Sequence, residues 1–148
     1  MRARFLSLFL LPALLLAPPT LAQSQKRKDL VVIVNPASDV TALTRDQVID
    51  IYMGRLRQLP SGAAAQPIDL ADTVERRLFY QRLIHWTLAE VGSYWARLVF
   101  SGQANPPYQA PDARKAVELV AQNPDAIAYV DRSAVTKQVR VVLDLGKP

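Results

Sequence analysis

Apolar positions along this chain change their spacing from element to element, and the changes mark out the fold. Residues 30–34, Leu-Val-Val-Ile-Val, form an unbroken and mostly β-branched run, the pattern of a strand covered on both faces. Asn35-Pro36 stops it. After a loop through Ser38 and Asp39, residues 43–55 read Leu-Thr-Arg-Asp-Gln-Val-Ile-Asp-Ile-Tyr-Met-Gly-Arg, and the period becomes helical, with Val48, Ile51 and Tyr52 on one face. Thr44 and Gln47 have capping-box spacing, and Gly54 is suited to end the helix in a left-handed turn. A turn at Leu59-Pro60-Ser61-Gly62 and an Ala-rich connector precede a brief strand at residues 67–70.

A second helix is expected from Asp72, with Glu75 completing its capping box and Phe79, Leu83 and Trp86 at helical spacing. The third has the cleanest stripe: Val91, Tyr94, Trp95, Leu98 and Val99. Residues 101–111 read as a Gly- and Pro-rich loop, after which Asp112 caps a fourth helix that turns Ala113, Ala116, Val117 and Val120 inward. Asn123-Pro124-Asp125 turns into a strand over 126–130, and a last strand covers 139–143. Strands interleaved with helices predict an α/β fold with a small mixed sheet flanked by about four helices. Its expected core includes Ile33, Val48, Ile51, Phe79, Trp95, Leu98, Val117 and Ile127.

The first 22 residues look like an export signal. Arg2 and Arg4 precede an apolar stretch over residues 5–16, and Thr20-Leu21-Ala22 supplies small residues at the cleavage positions. The competing account is an uncleaved anchor, but spanning a bilayer takes ~20 apolar residues, and Pro12, Pro18 and Pro19 crowd this stretch. The expected organisation is therefore a signal over 1–22, a polar leader over 23–29 and one α/β domain over 30–148. Loss of residues 1–22 removes two arginines and no acids, so the formal charge of +5 falls to +3. That charge is thinly spread and gives no argument for a nucleic-acid partner; the dense run Lys26-Arg27-Lys28 reads as a solvated tail. With no cysteine, the fold stands without disulfides, and thiol chemistry and a lipidated cysteine are excluded.

Catalytic chemistry has few candidates. The single histidine, His85, lies inside the expected second helix with no metal-ligating partner four residues away, so no metal site is expected. Its neighbours Ile84 and Trp86 suggest a partly buried structural role. There is no Gly-x-Ser-x-Gly elbow, and five scattered glycines make neither a phosphate loop nor a dinucleotide fingerprint. The expectation is a protein that is not an enzyme and carries no cofactor.

Several strings, taken in order, resemble one family. Val34-Asn35-Pro36, the 43–55 segment, Pro67-Ile68 with Phe79, and Asn-Pro-Asp-Ala-Ile-Ala-Tyr-Val over 123–130 are similar to the second lobe of phosphate-type periplasmic substrate-binding proteins. Tyr94-Trp95, Phe100-Ser101-Gly102 and Pro106-Pro107 resemble a short, single-lobe subgroup often labelled phosphate-transporter binding proteins. The resemblance runs from residue 30 to about 143. It implies a single lobe of a type II periplasmic-binding-protein-like fold, located in the periplasm and binding rather than catalysing. In the full-length family an Arg, then an Asp and a Ser-Gly-Thr string, cradle phosphate between a strand and a helix. Here those positions hold Asp69, Ala71 and Thr73-Val74-Glu75. An Asp in place of the Arg disfavours an anion, and Val74 loses the close backbone approach of Gly. The phosphate site is therefore not carried over.

The candidate ligand surface is the start of the second helix, where backbone N–H groups gather beside Asp72, Thr73, Arg76 and Arg77. Against an anion there, Asp72 and Glu75 would themselves cap the helix and close the site. Two function classes remain. One is a solute-binding-like module for a small anion, or one docking on a transporter, sensor or receptor. The other is a periplasmic interaction or sensory accessory protein with no small ligand, whose exposed lobe face binds another chain or itself. For the latter, the 101–111 loop with Tyr108 between prolines is either the docking element or an ordinary surface loop. N-terminal sequencing of the exported protein is expected to start at or near Gln23; an intact Met1 in the membrane fraction would instead show an anchor.

Overall fold

The computed structural model describes residues 28–71 and 73–146, so the expected signal, its cleavage site and Asp72 lie outside the described residues. In chain order the elements are β1 (Leu30–Val34), α1 (Arg45–Tyr52), β2 (Gln66–Leu70), α2 (Val74–Ile84), α3 (Leu88–Phe100), β3 (Tyr108–Ala110), α4 (Ala113–Gln122), β4 (Ala126–Asp131), a 3-10 turn (Arg132–Ala134) and β5 (Arg140–Asp144). The five strands form one mixed sheet in the order β3-β2-β4-β1-β5. β2 runs parallel to β3 and β4, whereas β1 is antiparallel to both β4 and β5. This is the small mixed sheet with four helices that the sequence predicts.

Parallel strands need crossovers, and these place the helices. The chain moves outward from β2 to β3 through α2 and α3, then back across β2 to β4 through α4. Right-handed crossings in opposite directions put those helices on opposite faces. The pleat of β4 matches this arrangement. Tyr129 points at α2 and stacks on Phe79 at 3.7 Å between ring centroids and 6° between planes. The alternate positions Ala126, Ala128 and Val130 fall on the other face. Small side chains there let α4 approach closely with its buried Ala116, Val117 and Val120. All five residues of β1 are buried, as a doubly covered strand requires.

Local signals that rest on short-range hydrogen bonds are realised as expected. The Gln47 N–H donates to Thr44 Oγ1 at 3.2 Å and the Thr44 N–H to Gln47 Oε1 at 2.8 Å, completing the capping box of α1. Gly54 follows that helix at φ +69°, with a second reason to be glycine: a Cβ there would sit 2.9 Å from the Trp95 ring. Asp112 caps α4 through the Lys115 N–H at 2.8 Å.

Four expectations are corrected. Thr73, not Asp72, is the cap of α2, its hydroxyl accepting from the Arg76 N–H at 3.1 Å. Glu75 is drawn instead to Lys28, 2.6 Å away beside the start of β1. α2 stops at Ile84, and His85 is an exposed residue at φ 59°, not a part-buried helical one. The Thr87–Glu90 capping box starts α3 immediately afterwards, which obliges the chain to turn and leaves Trp86 outside α2, edge-on to Tyr94. Residues 108–110 form an edge strand within the expected loop, held by pairing to β2. On α3, Val91 and Trp95 are buried, but Leu98 is only half-buried and Val99 is exposed, because the last turn of the helix borders an open groove. The remaining expected core residues, Ile33, Val48, Ile51, Phe79, Trp95, Val117 and Ile127, are buried. Trp95→Ala is expected to cost ~3–5 kcal/mol, read as a lower urea midpoint; a loss under ~1 kcal/mol would mean the ring contributes little to the core.

Candidate functional site

β2 is an apolar strand with one carboxylate in it. Asp69 lies between Ile68 and Leu70 and is 2% exposed, so its oxygens need donors from within the protein. They receive four. Leu70 N–H donates to Oδ1 at 2.8 Å, and the Tyr129 hydroxyl donates to the same oxygen. Arg76 Nε and the Tyr80 hydroxyl each donate to Oδ2 at 3.0 Å. The elements explain the convergence. β4 lies beside β2 and carries Tyr129 on the α2 face. The first turns of α2 place Arg76 and Tyr80, four residues apart, on one side of the helix.

The electrostatics are consistent with a carboxylate served by neutral phenols and one cation. Burial, followed by the charge of Asp69, pushes the Tyr80, Tyr129 and Tyr52 hydroxyls well above the usual phenol range, so all three remain protonated donors. Tyr52 donates to the Ile68 carbonyl at 3.0 Å and extends the polar network under the aromatic cluster. Burial disfavours the Arg76 cation, but the charge and hydrogen bond of Asp69 outweigh it, and Arg76 stays above its ordinary value. Its guanidinium carbon also lies 5.8 Å from the centre of the Tyr80 ring.

The candidate residues named from sequence therefore separate. Thr73 and Arg76 meet at the junction between β2 and α2, with the Thr73 hydroxyl engaged by the helix and Arg76 Nε engaged by Asp69. Arg77 is exposed and lines a different surface, a depression of 280 Å³ shared with Gln81, His85 and Trp86. Asp72 is outside the described residues. Sequence reasoning missed Tyr80 and Tyr129. The available signal was Asp69 itself, an acid in an apolar strand that demands buried donors, together with Arg76 and Tyr80 on one face of the next helix.

The junction belongs to a longer edge. Leu70 is in register with Ala110 of β3, and the Ala71 N–H donates to the Ala110 carbonyl at 2.8 Å, so the starts of α2 and α4 lie side by side at the carboxyl ends of parallel strands. Open α/β sheets commonly take ligands outside such ends. Thr73 and Asp112 occupy both helix starts as caps. At the end of the neighbouring β4, Asp131 accepts from the Asp29 and Ser133 N–H groups at 3.0 Å each. Arg132 joins Asp29 at 2.8 Å and also pairs with Asp144. Among the described residues no cluster of three metal-ligating side chains is present.

The opposite, amino-terminal end of β2 and β3 is open. A groove of 680 Å³ runs there between the end of α1 and the end of α3, lined among others by Arg57, Pro67, Trp95, Val99, Pro106 and Tyr108.

Comparison with solved structures finds a similar fold in phosphate transport proteins. An ABC-type phosphate transport receptor from Vibrio cholerae aligns with a TM-score of 0.61 at 18% identity, over 78% of this chain and 45% of that one. A phosphate ABC transporter substrate-binding protein from Clostridium perfringens, solved with bound phosphate, aligns with a TM-score of 0.64 at 19% identity, over 78% and 44%. PstS from Borrelia burgdorferi gives 0.59 at 13% identity, over 78% and 46%. The chain has the fold of the phosphate-transport binding proteins. It spans under half the length of those solved chains. No family profile matches the sequence, and no curated protein does.

In this fold Asp69 is expected to be the most sensitive polar position. Asp69→Ala strands the Arg76 cation and two phenols in the interior and should cost about 3–5 kcal/mol, read by urea unfolding. Tyr129→Phe should cost about 1–2 kcal/mol, because one donor is lost and three remain. Equal, small losses for both variants would show that the network does not hold the junction.

Proposed function

We propose that this chain is an exported, non-enzymatic module built on the phosphate-transport binding-protein fold, which acts by docking on a partner protein and not by capturing free phosphate. The observation that carries this is the four-donor Asp69 carboxylate, aligned by resemblance with the position where the full-length family has an Arg that pairs with phosphate. Arg76, the nearest cation, already serves that carboxylate, and Thr73 already serves its helix. A phosphate arriving there would compete with an internal anion that costs no loss of free translation to bind. Partners in keeping with the fold are a membrane transporter, a sensor or a receptor in the periplasm, and self-association through the lobe face belongs to the same class.

One observation favours a second reading, a small anion at the start of α2. The Clostridium perfringens neighbour holds phosphate, and the helix start still carries positive partial charge beside Thr73 and Arg76. Calorimetry on the purified chain separates the two. No binding heat is expected with inorganic phosphate up to millimolar concentration; micromolar or tighter affinity would establish the anion reading in place of the docking one.

A further inference from the structure

We infer that α3 pairs with α3 of a second copy of this chain, antiparallel, through the face that it turns away from the core. This rests on the docking function proposed above and names its partner and its surface.

The face is defined by what the helix buries. Val91 and Trp95 point into the core, and at about 100° per residue Ala89, Ser93, Ala96 and Phe100 fall on the opposite side, all of them exposed. Their spacing of four, three and four residues is that of the seam between two coiled helices. Exposed Glu90 and Arg97 flank this seam on one side, and exposed Gly92 and Val99 flank it on the other.

Two residues on this helix are unfavourable in an isolated chain. Phe100 is 96% exposed, a large apolar ring left in water. Gly92 stands in the middle of the helix, where glycine is the poorest former after proline. No positive φ asks for it there, and a Cβ at that position would meet nothing within 4 Å. Nothing inside the chain accounts for glycine at that point, whereas a surface approaching from outside does.

A two-fold axis passing between Tyr94 and Trp95 makes these features answer one another. It lays Phe100 of one copy over Ala89 of the other and sets Ser93 against Ala96 at the centre, where small side chains let the backbones come close. On one flank Val99 reaches the bare Gly92 position. On the other Glu90 faces Arg97, and symmetry makes each contact twice. Glu90 meets Thr87 through Oε2, which leaves Oε1 for a guanidinium. Arg97 makes no side-chain hydrogen bond or ion pair among the described residues. A parallel pair would set each charged flank against the Gly92–Val99 flank and leave both charges unmatched. A foreign helix would have to supply the ring, the gap, the acid and the cation in this order; a second copy supplies them by symmetry. The contact is one 13-residue helix long, short of the ~800 Å² per partner of a standard interface, so the dimer is expected to be reversible and weak.

Sedimentation equilibrium on the chain lacking residues 1–22, from about 10 µM to about 1 mM, tests this, and a reversible monomer–dimer equilibrium is expected. Phe100→Ser and Arg97→Glu should each weaken it about tenfold or more. Gly92→Leu should raise the urea midpoint, because the single chain has room for the side chain and the helix gains a better former, yet it should prevent dimerisation. A glycine with a purely internal role would not separate those two readings. Charge exchange reads the antiparallel register. Chains carrying Arg97→Glu, mixed with chains carrying Glu90→Lys, should form a dimer in which each carboxylate meets a cation, while neither variant pairs with itself. Circular dichroism checks that α3 survives loss of the Glu90 cap, and Gly92→Leu with Phe100→Ser decides the matter if it does not. A monomer throughout would overturn the pairing of α3 while leaving docking on another protein standing. A monomer that also binds phosphate at micromolar concentration would overturn both. A dimer that survives Phe100→Ser and Gly92→Leu would lie elsewhere on the surface and overturn the proposal.

Discussion

The carboxylate of Asp69 is the point on which three elements of this lobe depend. It belongs to β2, is held by Tyr129 from β4, and receives Arg76 and Tyr80 from α2. Burying a carboxylate is unfavourable by several kcal/mol unless its lone pairs are met, and each donor removed exposes that cost again. The same requirement fixes geometry. Apolar packing alone would let α2 slide along the sheet, whereas the directional bonds from Arg76 and Tyr80 to one carboxylate oxygen hold it in place. Stacking of Phe79 on Tyr129 adds area to that position, with Tyr52 edge-on to both rings. In this lobe an internal carboxylate thus organises the junction between β2 and α2.

Legibility of the sequence followed the range of the interactions. β1 declared itself by five consecutive apolar residues, and α1 by a capping box closed within four residues. The start of α2 was ambiguous by one position because Asp72 and Thr73 are both competent cap residue types, and the structure uses Thr73. β3 was hidden because it is held by pairing with residues 68–70, forty positions earlier, and its flanking prolines read as a loop. Asp69 was visible as an anomaly but not as a network, since Tyr129 lies 60 residues away in sequence. The resemblance in local strings anticipated the fold, which solved structures with 13–19% identity share.

The two ends of the parallel strands have been treated in opposite ways. At the carboxyl ends the helix starts are capped and the neighbouring acids are bonded or paired, so that polar groups are satisfied internally. At the amino ends a groove lined by Arg57, Pro67, Trp95, Val99 and Tyr108 among others faces solvent. A shared scaffold does not determine which end is used, because function resides in the side chains placed on it. The asymmetry between a closed and an open end separates this chain's chemistry from its architecture.

The order of the strands also carries a kinetic meaning. β1 is made first, yet it lies between β4 and β5, and its hydrogen-bonding partners arrive only at residues 126 and 140. Until then its five apolar residues have no edge to join, and Asp29 lacks both Asp131 and Arg132. Long-range pairing of this kind slows folding, because the loop must be closed before any contact rewards it. The sheet therefore closes only after residues 126–144 have been made, so its first strand is among the last parts of the fold to be secured.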